Sequence, residues 1–391
     1  MKINSLKKIK SLSGKTVFLR VDFNVPIKNG KIENDYRIKA GLETINFLLA
    51  KSARLVIASH LGRPKGYESA SSLKPVAARL KTLLKRPIKF LSEAVSPKTT
   101  AAVKALKPGE IVMLENLRFN AGEYKNDDKF AASLAALADI YVNDAFADCH
   151  RAQASVAAME KYLPSYAGLL VEKEITALNR ILKPKKPLVI IIGGAKIETK
   201  APLISKLYSS ASQILIGGAL ANNFFKFQGL EIGKSMVDDD FAPYIRKFYK
   251  GKKLVPKIIL PRDVVIKTKD GRAQVVAPAA VKASDTILDI GPASISDFAA
   301  YIKKANTLVW NGPLGKFEEA SFKHGTLALA YLIAARSSGL AYGVVGGGET
   351  VAALNLTKMS EYVDWVSTAG GAMLTYLSGG KMPGLSKIVQ A

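Results

Sequence analysis

A single cysteine, Cys149, leaves no partner for an internal disulfide, which suits a reducing compartment. No apolar run approaches the roughly 20 residues that a membrane-spanning helix needs. The basic opening stretch, residues 1–15, is followed by no apolar signal core, and a cytoplasmic location is expected. Cysteine and histidine show no metal-site spacing, and there is no repeat of solenoid period and no low-complexity segment. Acidic residues are scarce too: 32 Asp+Glu stand against 57 Lys+Arg, for a net charge of +25. That excess could mark nucleic acid, an anionic substrate or a lysine-rich surface. Residues 1–170 carry 28 basic against 15 acidic side chains (+13), and residues 171–391 carry 29 against 17 (+12). So even a division, with no basic tail, reads as a generic basic surface. Neither a specific nucleic acid nor a membrane is expected as a partner.

What is present is enough apolar material, 48% of 391 residues, for two buried cores. Short aliphatic runs alternate with helical patterns. Strands are expected at Lys15–Val21, Arg54–Ser59, Glu110–Leu114 and Ile140–Asn143. In the second half they are expected at Leu188–Ile192, Gln213–Ile216, Lys257–Leu260, Thr286–Leu288, Thr307–Trp310 and Tyr342–Val345. Helical patterns include Lys74–Leu84, Lys129–Ala138, Lys323–Ala335 and Thr350–Asn355. Continuous apolar strands separated by helices imply an α/β fold of two Rossmann-like lobes, each a parallel sheet covered by helices. Val171–Leu182 reads as a hinge helix, stopped by Pro184 and Pro187. The expected division is therefore residues 1–170, a junction at 171–187, and residues 188–379.

Uncommon residues gather at the strand ends, where open α/β sheets bind ligands. The first half supplies Arg37, His60, Arg63, Arg118 and Arg151, a basic set whose guanidinium forks suit phosphate and carboxylate. The second supplies glycine turns opening helices: Gly193-Gly194, Gly217-Gly218 and Gly346-Gly347-Gly348. There, backbone amides and the helix dipole attract phosphates. A small anionic acid on one lobe and a nucleotide on the other is the simplest reading, and it implies phosphoryl transfer. Any one glycine pair is more often a plain turn, and a lone arginine usually a solvated charge; the ordered accumulation decides. Gly229–Ser235 lacks one residue of a P-loop and follows a helical stretch, so it is no Walker motif. Cys149 and His150, adjacent in sequence, are not expected to face each other as a nucleophile pair.

The ordered stretches Arg20-Val21-Asp22-Phe23-Asn24-Val25-Pro26, Tyr36-Arg37-Ile38-Lys39-Ala40, Ser59-His60-Leu61-Gly62-Arg63-Pro64 and Glu115-Asn116-Leu117-Arg118-Phe119 resemble the phosphoglycerate kinase family. So do Val142-Asn143-Asp144-Ala145-Phe146, Gly193-Gly194-Ala195-Lys196, Glu231-Ile232-Gly233-Lys234-Ser235 and Trp310-Asn311-Gly312-Pro313. The resemblance implies a 3-phosphoglycerate site of Asp22, Asn24, Arg37, His60, Arg63, Arg118 and Arg151. It implies nucleotide contacts from Gly193, Gly194, Lys196, Lys200, Leu288, Asn311, Pro313, Glu318, Gly346, Gly347, Gly348, Glu349 and Thr350. Arg37, Lys200, Gly347 and Gly348 would neutralise the transferring group. Mg²⁺ would accompany ADP or ATP and be held by Glu349, where the family has aspartate. The C-terminal residues 380–391 would return to the first lobe, and a monomer is implied.

Three further departures stand out. His150-Arg151-Ala152-Gln153-Ala154 replaces the family's His-Arg-Ala-His-Ser. Trp365 stands where the family has the histidine that pairs with its hinge glutamate, here Glu174. A late three-glycine run reads Ala369-Gly370-Gly371. The expected activity is reversible phosphoryl transfer from 1,3-bisphosphoglycerate to ADP, a glycolytic step, with the lobes closing when both ligands are bound. The alternative is a catalytically weakened nucleotide-binding protein using its basic surface on RNA or membrane.

Overall fold

The computed structural model describes residues 2–251 and 253–390. Contacts divide the chain into two units, Met1–Thr176 with Lys381–Ala391, and Ala177–Gly380.

Six strands of the first unit form one sheet: β1 (Thr16–Val21), β2 (Arg54–Ala58), β3 (Lys89–Leu91), β4 (Ile111–Leu114), β5 (Ile140–Asp144) and β6 (Ser165–Ala167). Their order is β3-β4-β2-β1-β5-β6, and every pairing is parallel. All six residues of β1 are buried, as a strand covered on both faces requires. Its side chains alternate: Val17, Leu19 and Val21 join one core with Leu55 and Ile57, while Phe18 joins another with Val56, Val112 and Tyr141. Helices α1 (Tyr36–Ala40), α2 (Leu42–Ala50) and α3 (Lys74–Leu84) add Ile38, Ile45, Leu48, Val76 and Leu80 to the first core. Helices α4 (Pro97–Lys104) and α5 (Asp128–Ala135) add Val103 and Leu134 to the second. Residues Val389–Gln390 pair antiparallel with Lys2–Ile3. Helix α6 (Leu169–Leu182) runs across the division between the units.

The second unit has a six-stranded sheet of β7 (Leu188–Ile192), β8 (Gln213–Ile216), β9 (Ile258–Ile259), β13 (Thr307–Asn311), β14 (Tyr342–Gly346) and β15 (Trp365–Ser367). The order β9-β8-β7-β13-β14-β15 is all parallel and matches the sheet of dinucleotide-binding folds. Helices α7 (Ile197–Leu207), α8 (Ala219–Phe227), α9 (Pro292–Lys304), α10 (His324–Ser337) and α11 (Gly348–Leu356) lie between its strands, and α12 (Gly370–Leu377) follows the last of them. Phe298 and Ile302 of α9 and Leu329 and Ile333 of α10 pack on Val189, Ile191, Leu308, Trp310 and Val345. The fully buried Trp310 keeps its indole N–H satisfied by the Gly312 carbonyl at 2.9 Å.

One expected strand belongs elsewhere. Thr286–Leu288 does not extend a parallel sheet: as β12 (Thr286–Ile290) it pairs antiparallel with β10 (Val264–Lys267), which in turn pairs with β11 (Ala273–Val276). The β10–β11 turn contains Asp270-Gly271, with Gly271 at φ +84°, a conformation natural to glycine in tight hairpins. The edge strands β3, β6 and β15 add three residues each.

Candidate functional site

Ligands of open α/β sheets bind beyond the strand C-termini, where the strand order reverses. In the first unit that point lies between β1 and β5. Asp22 follows β1 and takes a hydrogen bond from Arg37 Nη1 on α1 at 2.7 Å. The same nitrogen reaches the Asn24 carbonyl at 3.3 Å. The Asn24 side chain accepts from the Gly62 amide at 2.9 Å and so ties the loop after β1 to the loop after β2. His60 follows β2 and is buried. Arg118, in the turn after β4, is also buried; it donates to the Gly62 carbonyl at 2.7 Å and lies over the Tyr124 ring. Arg151 follows β5 and is partly exposed. Arg63 is exposed and makes no hydrogen bond or ion pair among the described residues. The structure thus gathers Asp22, Asn24, Arg37, His60, Arg118 and Arg151 at one end of one sheet.

Two members of this cluster escape the sequence reading. Arg20 occupies a core-facing position of β1 and is fully buried. It donates to Ser155 Oγ at 2.8 Å, to the Val21 carbonyl at 2.5 Å and to Asp148 Oδ2 at 3.1 Å, and faces Glu123 at 4.0 Å. Asp148, in the turn after β5, is buried among cations. Burial pushes its carboxyl up, but His60, Arg20 and Arg118 outweigh that and hold it well below the usual carboxylate range. Asp22, His60 and Asp148 bring potential metal-ligand atoms within 4.8 Å of one another. Arg37 on Asp22 and Arg20 on Asp148 already supply the positive charge there. The one sequence signal for Arg20 is a charge interrupting the apolar run of β1.

Neighbouring groups serve the scaffold. Asp144 Oδ1 accepts from the Leu170 and Val171 amides at the start of α6. The Cys149 thiol is buried, which pushes its pKa well up. His150 instead accepts from Arg151 Nε, so no Cys–His nucleophile exists.

In the second unit the order reverses between β7 and β13. A Cβ on Gly193, at the end of β7, would collide with the Pro313 carbonyl, so this close approach requires glycine. Backbone bonds from Gly194 to Pro313 at 2.8 Å and from Gly218 to Leu314 at 3.0 Å join the loops after β7, β8 and β13. Lys196 is exposed just before α7. One turn further, Lys200 donates to Asn311 Oδ1, and Asn311 Nδ2 donates to the Gly346 carbonyl at 2.7 Å. Burial lowers the Lys200 pKa to about 8, with the Glu349 carboxylate acting in the opposite direction. Gly347, at φ +107°, opens α11, and the Thr350 hydroxyl of that helix accepts from the Gly312 amide at 2.7 Å.

Two cavities meet here. One, of 440 Å³, is lined by Lys196, Lys200, Asn311, Gly347, Gly348 and Glu349, among others. The other, of 730 Å³, has a largely apolar wall that includes Phe225, Leu288 and Pro313, with Glu318 and Glu349 on its lining. Glu349 is exposed at the first turn of α11 and makes no hydrogen bond or ion pair among the described residues. Asp289, unnoticed in the sequence, lies beside Leu288 and accepts from the Ile290 and Gly325 amides; burial raises its pKa to about 7. Gly229–Ser235 is bound to β12 instead, through Ser235 Oγ and the Ile287 amide at 2.8 Å.

The comparisons cover both units. The phosphoglycerate kinase family model matches residues 6–380. A phosphoglycerate kinase of Moorella thermoacetica is 44% identical over 386 residues, 97% of each chain. One of Borreliella burgdorferi is 42% identical over 391 residues, 98% of this chain and 99% of its own. The solved phosphoglycerate kinase of Coxiella burnetii covers 99% of both chains with a TM-score of 0.85 at 38% identity. That of Pyrococcus horikoshii covers 98% of both at 0.85 and 31%. Nothing in these matches supports the alternative of an RNA- or membrane-binding derivative. With similarity running through both units and nearly end to end, the chain belongs to the phosphoglycerate kinase family.

Proposed function

We propose that the cluster of the first unit binds the acid and the two cavities of the second bind the nucleotide in the family's reaction. That reaction is the reversible transfer of a phosphoryl group from 1,3-bisphosphoglycerate to ADP, giving 3-phosphoglycerate and ATP. A bond from the acyl oxygen to phosphorus breaks and one from the ADP β-phosphate oxygen forms, leaving a carboxylate. The acyl phosphate is already activated, so the protein has to align, neutralise and exclude water.

In this reading His60, Arg63, Arg118 and Arg151 hold the acid's phosphate and carboxylate, while Asp22 and Asn24 steady Arg37. Arg37 keeps part of its fork exposed for the transferring group. Leu288 and Pro313 wall the base, Glu318 takes ribose hydroxyls, and Lys196 with the Gly193–Gly194 turn receives phosphate. Lys200 and the Gly347 and Gly348 amides face the charge that develops in transfer. Glu349 fits a magnesium role: it is a hard-oxygen ligand, without a hydrogen bond or ion pair among the described residues and beside the phosphate cavity. With magnesium bound, nucleotide phosphate charge would be partly neutralised.

The reacting atoms must approach within about 3–3.5 Å, so turnover needs both ligands brought together from their own units. We further propose that the enzyme works as a cytoplasmic monomer without a specific nucleic-acid partner. The Lys200–Asn311 pair beside the 440 Å³ cavity carries the reading. The test is 3-phosphoglycerate-dependent ATP consumption in a coupled assay, in wild type and in Arg118→Ala and Lys200→Ala. Wild-type turnover crippled by both substitutions supports the assignment; two fully active variants would remove it.

A further inference from the structure

Three arginines and a histidine converge on one carboxylate in the first unit. Asp148 Oδ2 lies 3.1 Å from Arg20 Nη2 and 3.2 Å from His60 Nδ1. Its Oδ1 lies 3.7 Å from Arg118 Nη2 and 3.9 Å from Arg151 Nη1. The Asp148 side chain is only 3% exposed. We propose that Asp148 is a positioning residue of the acid site, fixing the His60 ring and holding Arg118 and Arg151 ready for the ligand's oxyanions. This rests on the reading of that cluster as the acid site.

The four contacts fall into two kinds. Arg20 and His60 contact Oδ2 at hydrogen-bond distance. Arg20 Nη2 and His60 Nδ1 are also 3.2 Å from each other. Arginine is always a donor. In the proposed arrangement a proton on His60 Nδ1 is directed at Asp148 Oδ2, the acceptor that lies next to both nitrogens. That choice leaves Nε2 to the ligand, as a carboxylate partner generally does for imidazole. Arg20 cannot drift, because Ser155 Oγ and the Val21 carbonyl fix its other nitrogens. Asp148 is thereby anchored from behind, on β1.

Arg118 and Arg151 are attracted from beyond hydrogen-bond distance. At that range Asp148 offsets their mutual repulsion, yet no short bond must break when a phosphate or carboxylate arrives. Arg118 is located independently by the Gly62 carbonyl, and Gln153 Oε1 accepts from its Nη2 at 3.4 Å. Asp148 therefore acts as an internal counter-anion that arranges the cations without occupying their outward faces.

Two measurements test this. The chain has only three histidines, which makes ring ¹⁵N spectra tractable. In the wild-type enzyme, His60 Nδ1 should bear a proton in slow exchange with water. Adding 3-phosphoglycerate should move the Nε2 signal far more than Nδ1. A wild-type His60 with bare Nδ1 overturns the proposal, whatever any variant does. In steady-state kinetics, Asp148→Asn should raise KM for 3-phosphoglycerate roughly tenfold to a hundredfold, the scale of a misaligned binding group, with KM for ATP within about twofold. An unchanged KM for the acid in Asp148→Asn, when Arg118→Ala raises it, overturns the role of Asp148 alone. If Arg118→Ala also leaves that KM unchanged, the acid-site reading itself has failed.

Discussion

Lys200 and Asn311 are bound side chain to side chain, and Asn311 passes the link on to the Gly346 carbonyl. Helix α7 and the ends of strands β13 and β14 are thereby tied around one ammonium group. The ammonium is held by a neutral acceptor, so it is oriented without its charge being cancelled. Lys200→Ala should lower kcat by roughly two to four orders of magnitude, as for lost electrostatic stabilisation of a transition state. Circular dichroism and the melting temperature should change little, because the group is partly buried and its removal leaves no buried charge behind. A kcat close to wild type would take Lys200 out of the mechanism.

The same burial has a proton consequence. With its pKa lowered to about 8, Lys200 is partly neutral in the free enzyme at mildly alkaline pH. Phosphates bound nearby favour the charged form. Nucleotide binding should therefore take up about half a proton at pH 8 and close to one at pH 9. Calorimetric titrations in two buffers of different ionisation enthalpy measure that uptake directly. Lys200→Arg should abolish it, since a guanidinium stays charged throughout. Buffer-independent enthalpies in the wild type would contradict the assignment.

Glu349 carries its carboxylate one methylene further from α11 than an aspartate would. Magnesium demands near-octahedral geometry at short distance, so the longer arm should grip it less well. Activity should persist, and Glu349→Asp should tighten the Mg²⁺ dependence of nucleotide binding by roughly threefold to tenfold, about 1 kcal/mol. Superimposable metal titrations for the two proteins would show the extra methylene to be silent.

The strands flanking both switch points could be read from the sequence because strands buried on both faces are continuous apolar runs. Leu188–Ile192 is a clear case, with all five residues buried. Three-residue edge strands such as Lys89–Leu91 leave too short and too exposed a trace. Thr286–Leu288 is legible as a strand, but an apolar run does not encode the direction of its partner. The residues proposed to hold ligands stand out in the sequence as arginines and glycines at strand ends. Arg20 and Asp148 do not, because their meaning lies in a pairing 128 positions apart. Asp148, read alone in the sequence, is indistinguishable from a solvated surface charge.

Glu160 sets a stability prediction away from the reaction. It is buried, and its Oε2 accepts from Ser386 Oγ at 2.7 Å and from the Lys387 amide at 2.9 Å, clasping the C-terminal segment within the first unit. Its Oε1 is buried and has no hydrogen-bond partner among the described residues. Burial accordingly raises its pKa from 4.5 to about 7, against the two hydrogen bonds that favour the ion. The folded chain thus holds this proton to higher pH than the unfolded chain. The resulting stabilisation is fully present below about pH 4.5 and is lost as pH rises through about 7. The full difference is on the order of 3 kcal/mol. Glu160→Gln keeps an oxygen for Ser386 and Lys387 but never ionises. Its melting temperature should exceed that of the wild type at pH 8 by several degrees and approach it near pH 5. Thermal unfolding of both proteins across that range is the measurement. A constant difference between the two curves at every pH would mean that Glu160 does not titrate in the folded protein as its burial implies.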